Sequence, residues 1–122
     1  MQVQIAELTE KTLSRRRGKE AYDALVSRDD HDEIVIDLNG AEACSLSFLD
    51  ELVCRMHGIG MLQRASFVTG NPQHIRKLGR VSAIRELTIY RMIDGKRELV
   101  EPVSVPPLIE IPSDAPPPDD MD

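Results

Sequence analysis

Apolar and polar positions along the chain fall into two alternating kinds of pattern. Gln2-Val3-Gln4-Ile5 alternates with a period of two, which predicts a strand with one face toward a core. Ile34-Val35-Ile36-Asp37-Leu38 is a short, β-branched run, which suits a strand buried on both faces and is too short for a helix with a core-facing stripe. Ala65 to Thr69 and Leu87 to Tyr90 predict two further strands. Between these runs the spacing changes to three and four. Ala21 and Leu25, flanked by Tyr22 and Val26, form one helical stripe behind Ser14 as cap, with Gly18 weakening its start. Phe48, Leu49, Leu52, Val53 and Met56 form a second, closed by Gly58, and Ile75 and Leu78 with Val81 and Ile84 form a third, which Gly79 kinks or ends.

Helix starts carry their own signals. Asn71 as cap and Pro72 as first helical residue suit each other, since proline lacks an N–H that would go unsatisfied there. Asn39 and Gly40 break the run after Leu38. Ser47 then caps the middle helix by accepting from free backbone N–H groups, and Asp50, three residues on, puts negative charge at the positive end of the dipole. Asp94-Gly95 between Met92-Ile93 and Lys96-Arg97 is a tight-hairpin signal, with a helix from Met92 to Leu99 as the alternative. The resulting order is an α/β domain, a mixed sheet of about four strands with helices packed on it.

Composition narrows the picture. A chain of 122 residues makes one domain, here residues 1–103, and every proline except Pro72 lies at Pro102 or beyond. Residues 104–122, rich in proline and acid, predict a disordered tail. A net charge of −6 opposes non-specific nucleic-acid binding, and Arg15-Arg16-Arg17, the one basic run, suits a solvated helix face. With Tyr22, Phe48, Phe67 and Tyr90 as the only aromatics, there is no stacking platform and the core is aliphatic. Cys44 and Cys54 lack metal-ligand spacing and form no disulfide framework, and Asp29-Asp30-His31-Asp32 is turn chemistry, so no metal and no cofactor are expected. The opening residues lack a signal peptide and no apolar run spans a bilayer, so a cytoplasmic protein without membrane partners is expected; oligomeric state is not readable from the pattern.

No catalytic constellation stands out, and the chain is expected not to be an enzyme. Ser47 has no Gly-x-Ser-x-Gly elbow and no diagnostic spacing to His31, His57 or His74. Asp50 and Glu51 are neighbours on a helix and do not face each other as a dyad. Asp37, within an apolar strand, needs a hydrogen bond or a place at the strand's end, where ligands of open α/β sheets bind.

The run Ile36-Asp37-Leu38-Asn39-Gly40, followed after a gap by Ser45-Leu46-Ser47-Phe48-Leu49-Asp50-Glu51-Leu52, resembles the STAS-like family of domains of unknown function, distant relatives of the STAS domains of anti-sigma factor antagonists. The specific part is Ser45 to Leu52; from Met1 to about Met92 the likeness is one of element order. The antagonists carry Asp-Ser-Ser-Gly where this chain has Ser45-Leu46-Ser47-Phe48. The resemblance implies a regulatory protein-binding module, with Ser47, or Ser45, as phosphosite and a histidine-kinase-like ATPase, a serine kinase or anti-sigma factor, as protein partner. Asp37, Asn39, Phe48, Asp50, Glu51 and Asn71 are then the candidate partner or ligand contacts. Serine is also a good structural cap, so Ser45 and Ser47 have that plainer reading too. A small-ligand sensor using Asp37, Ser47 and the Asn71 helix start, and an accessory structural protein, are the competing functions.

Overall fold

The computed structural model describes residues 1–8, 12–41 and 43–104. In chain order these form β1 (Gln2–Gln4), α1 (Ile5–Leu8), β2 (Thr12–Leu13), α2 (Arg15–Arg28), β3 (Ile34–Asp37), β4 (Ala43–Cys44), α3 (Leu46–Gly58), β5 (Ala65–Val68), α4 (Pro72–Arg85), β6 (Tyr90–Ile93) and β7 (Lys96–Leu99). The α/β class holds, and the main sheet has five strands in the order β1-β3-β5-β6-β7. β1, β3, β5 and β6 run parallel, while β7 returns antiparallel to β6. β2 and β4 form a separate two-residue parallel ladder. The tail expected from residue 104 lies, from 105 onward, outside the described residues.

Each parallel strand sits beside the previous one, always advancing in the same direction. Right-handed crossovers then bring α2, α3 and α4 to one face of the sheet, and α3 packs between the other two. Burial along the strands agrees: Val3, Ile34 and Ile36 are buried, whereas Gln2 and Gln4 are exposed and Val35 and Asp37 half-buried. Phe67, aligned with Ile36, extends that apolar row toward β6. Against it pack Leu25, Phe48, Leu49, Leu52, Met56 and Leu78, all fully buried. Burying such a side chain contributes about 1.5–3 kcal/mol, so this apolar layer sets the fold.

Two glycines mark close approaches. A Cβ on Gly18 would stand 2.9 Å from both the Phe48 carbonyl oxygen and Glu51 Cβ, so the residue expected only to weaken α2 is where α2 crosses α3. Gly79 does not end α4, which continues to Arg85. The chain after β7 crosses it instead: Val103 N–H donates to the Gly79 carbonyl at 2.9 Å, and a Cβ there would lie 2.6 Å from Glu101 O.

Other boundaries shift for local reasons. Ile5 leaves β1 and, buried, begins the single turn α1. α3 passes Gly58, and Gly60, at φ +75°, makes the left-handed turn while Met61 N–H closes on the Met56 carbonyl at 2.9 Å. The last parallel strand starts at Tyr90 because Leu87 completes α4: its N–H donates to Ser82 O, and Ser82 Oγ donates to its carbonyl. The hairpin forms at Asp94-Gly95, both with positive φ as a two-residue primed turn needs, and the alternative helix is not adopted.

Candidate functional site

α3 starts two residues earlier than its sequence signal suggested. Ser45, with extended backbone, is the cap; its Oγ accepts the Phe48 N–H at 3.0 Å. This register follows from burial, because it sends Leu46, Phe48 and Leu49 inward together. Ser47 therefore is the second helical residue, half-buried, and Ser45 does the capping expected of it. Phe48 is fully buried, a core residue and not a partner contact.

Asp50 is likewise displaced from its expected role. It lies in the second turn, 8% exposed, and ties three helices together. Arg85 at the end of α4 grips both oxygens, Nε to Oδ1 and Nη2 to Oδ2, each at 2.7 Å. Arg15 from α2 approaches Oδ2 at 3.4 Å, and Cys54 Sγ donates to Oδ1 at 3.6 Å. The Arg85 hydrogen bonds hold the Asp50 carboxyl below its ordinary range despite its burial. The same pairing raises Arg85, while burial and the Asp50 charge push the Cys54 thiol up. Glu51 is bound by Arg15 Nη1 at 3.3 Å and by Arg55 Nε at 3.0 Å. Asp50 and Glu51 thus hold the helix layer together.

Around this hub lies a depression of about 260 Å³, lined by Arg15, Leu46, Ser47, Asp50, Val81, Ile84 and Arg85. Ile84 is 54% exposed, an apolar side chain at the mouth of a cavity rimmed by guanidinium groups. Sequence periodicity had assigned Val81 and Ile84 to the core; Val81 is buried, but Ile84 faces outward. Arg85 was not singled out by the sequence, and Arg15 was read only as part of a solvated helix face, because each lies 35 residues from the acid it meets.

The other candidates gather at the carboxyl ends of β3 and β5, committed to shaping loops. Asp37 Oδ1 accepts the Asn39 N–H at 2.8 Å, and Asn39 Oδ1 accepts the Gly70 N–H at 2.7 Å, clipping the two loops together. Asn71 caps α4 as expected, its Oδ1 accepting the Gln73 N–H at 2.9 Å. His74, buried beside them, lies 2.8 Å from Thr69 Oγ1 through Nδ1, and desolvation together with Lys77 lowers its pKa. Lys77 donates to the Cys44 carbonyl at 2.8 Å. The strand order never reverses, so this edge lacks the crevice that opens at a topological switch point.

A larger hollow of about 480 Å³, lined by His57, Leu62, Gln63, Glu86, Leu87, Thr88, Tyr90 and Arg97, is less suited to a ligand. Its guanidinium is already satisfied: Arg97 stacks 3.9 Å over the Tyr90 ring and donates to Ser66 Oγ, Gln63 O and Ala65 O. Among the described residues no His, Cys, Asp and Glu side chains converge as a metal site, and no helix is long and apolar enough to cross a membrane. Compared with protein-family models, curated proteins and solved structures, the chain matches none.

Proposed function

We propose that the chain is a cytoplasmic regulatory module of the STAS-like kind, binding a protein partner through the start of α3 and the facing end of α4. The observation that carries this reading is the half-buried Ser47 hydroxyl in a depression that combines Leu46, Val81 and the exposed Ile84 with Arg15 and Arg85. An apolar centre with arginines at the rim has the make-up of a small protein-binding patch. The unreversed strand order and the structural commitments of Asp37, Asn39 and Asn71 speak against the small-ligand reading.

A histidine-kinase-like ATPase that phosphorylates serine is the partner of choice. Ser47 Oγ attacks the γ-phosphorus of ATP, the bond to the bridging oxygen breaks, ADP leaves, and the hydroxyl proton passes to a base on the partner. The product dianion sits at a helix N-terminus, which favours it electrostatically. It also competes with Asp50 for Arg15 and Arg85, and puts charge in the apolar contact. One modification thereby changes the partner surface.

The test incubates the full chain with ATP and the ATPase-type kinase encoded beside it. The expected result is a complex and a mass gain of about 80 Da, one phosphate, which disappears in Ser47→Ala and persists in Ser45→Ala. Absence of both complex and modification refutes the proposal.

A further inference from the structure

Positive charge is concentrated around the depression beside Ser47, although the chain as a whole carries −6. Arg15-Arg16-Arg17 opens α2 with no acid in its first turn, and α4 carries Arg76, Lys77, Arg80 and Arg85 and no carboxylate. The two stretches converge where Arg15 and Arg85 both reach Asp50. The local acids are Asp50 and Glu51, shared among Arg15, Arg55 and Arg85, and Glu20, which Arg16 and Arg17 face. Three carboxylates against these cations leave the face positive. Arg85 gives Nε and Nη2 to Asp50 with its side chain 48% exposed, so its Nη1 edge remains for a further acceptor. Helix geometry puts Arg80 and Lys77 about 6 and 10.5 Å along the axis from Ile84 and within about 40° of it, so the exposed isoleucine stands in a row of cations.

We propose that the partner segment seated here is acidic: an aliphatic side chain enters the depression against Leu46, Val81 and Ile84, and carboxylates on either side of it face Arg80 and Arg85. The inference rests on the depression being the partner surface, and it names the chemistry which that surface selects. Complementary charge steers the segment in, and the aliphatic anchor supplies the desolvated centre that a small interface needs. A nucleic acid matches the cations but has nothing aliphatic to set against Leu46, Val81 and Ile84, and the net charge of −6 opposes its approach. A second copy docked across a two-fold axis would bring the same cations face to face.

Selection reads this chemistry directly. Random peptides displayed on phage are panned on the full chain and counter-selected on Ile84→Glu, a change at a side chain that is 54% exposed. Peptides retained only by the unaltered chain are expected to carry Asp or Glu on either side of Leu, Ile, Val or Met. Their affinity, followed by fluorescence anisotropy, should fall several-fold in about 1 M salt, where the Debye length shrinks to about 3 Å, and several-fold in Arg80→Gln. On the unaltered chain, where no substitution can disturb folding, a selected peptide should shift the amide signals of Leu46, Ser47, Ile84 and Arg85 and leave Gln2 and Gln4 on β1 unmoved. Failure to select any peptide that depends on Ile84, selected peptides without carboxylates, or shifts on another surface overturns the proposal. So does displacement of the peptide by a single-stranded or duplex oligonucleotide, and so do the same shifts on concentrating the chain alone, which would identify a second copy as occupant. Neither kinase nor ATP enters the selection, so its failure leaves the phosphorylation test standing.

Discussion

Arg85→Ala, Asp50→Asn and their combination test whether the ion pair is the clasp of the helix layer. An exposed pair contributes about 0–1 kcal/mol, whereas breaking a buried pair removes about 3–5 kcal/mol. Asp50 is 8% exposed but the Arg85 side chain is half in solvent, and Arg15 still faces Oδ2 at 3.4 Å. Arg85→Ala should therefore destabilise by about 2 kcal/mol, on the order of 10 °C in melting temperature for a domain of this size. The double variant should reveal a coupling of roughly 1 kcal/mol or more, because each single change removes the same contact. The pH dependence provides an independent sign. Asp50 has a folded pKa below its ordinary value, so its contribution is complete above the unfolded pKa of about 3.9 and is lost as pH falls through the folded value. Urea unfolding from pH 7 to pH 3 should keep wild type and Asp50→Asn a constant distance apart until about pH 4, then bring them together. Additive single effects, or a gap that stays constant down to the acid limit, would refute the clasp.

Three further substitutions or titrations probe the same framework. Gly18→Ala should destabilise by about 1–2 kcal/mol in thermal unfolding although alanine favours helix, because the new methyl meets the Phe48 carbonyl at 2.9 Å. Gly95→Ala should lose about 1 kcal/mol in the same assay, since φ +77° in the hairpin suits glycine. The His74 ring, its pKa lowered by burial, should titrate by NMR below the ordinary value of about 6.5. Stability should consequently fall as pH drops below that value toward the folded pKa, and His74→Gln should flatten this part of the profile.

Much of the framework was legible because it depends on local chemistry. Asn71-Pro72 and Asp94-Gly95 announce their turns within two residues, and the stripe from Phe48 to Met56 defines its own buried face. The α3 start was harder to read: Ser45 and Ser47 are both competent caps, and the choice falls to Leu46 and Phe48, whose burial belongs to the folded protein. Gly18 and Gly79 read as helix weaknesses until the elements crossing them are known. Asp50 exposes the deepest limit, because a carboxylate near a helix start has the same local signature whether it serves the dipole or a guanidinium 35 residues away.

That ambiguity also explains how the proposed site works. The residues that join α2, α3 and α4, namely Arg15, Asp50 and Arg85, are the same ones that rim the depression containing Ser47. A partner arginine or carboxylate reaching this rim would compete with the internal clasp, and a phosphate on Ser47 would compete for both arginines. Binding and helix-layer stability are consequently linked: anything that draws Arg85 away from Asp50 leaves a largely buried carboxylate with the longer Arg15 contact and the weak Cys54 thiol donor. Under the proposed phosphorylation of Ser47, the surface would change by redistributing the ion pairs that Arg15 and Arg85 already make with Asp50.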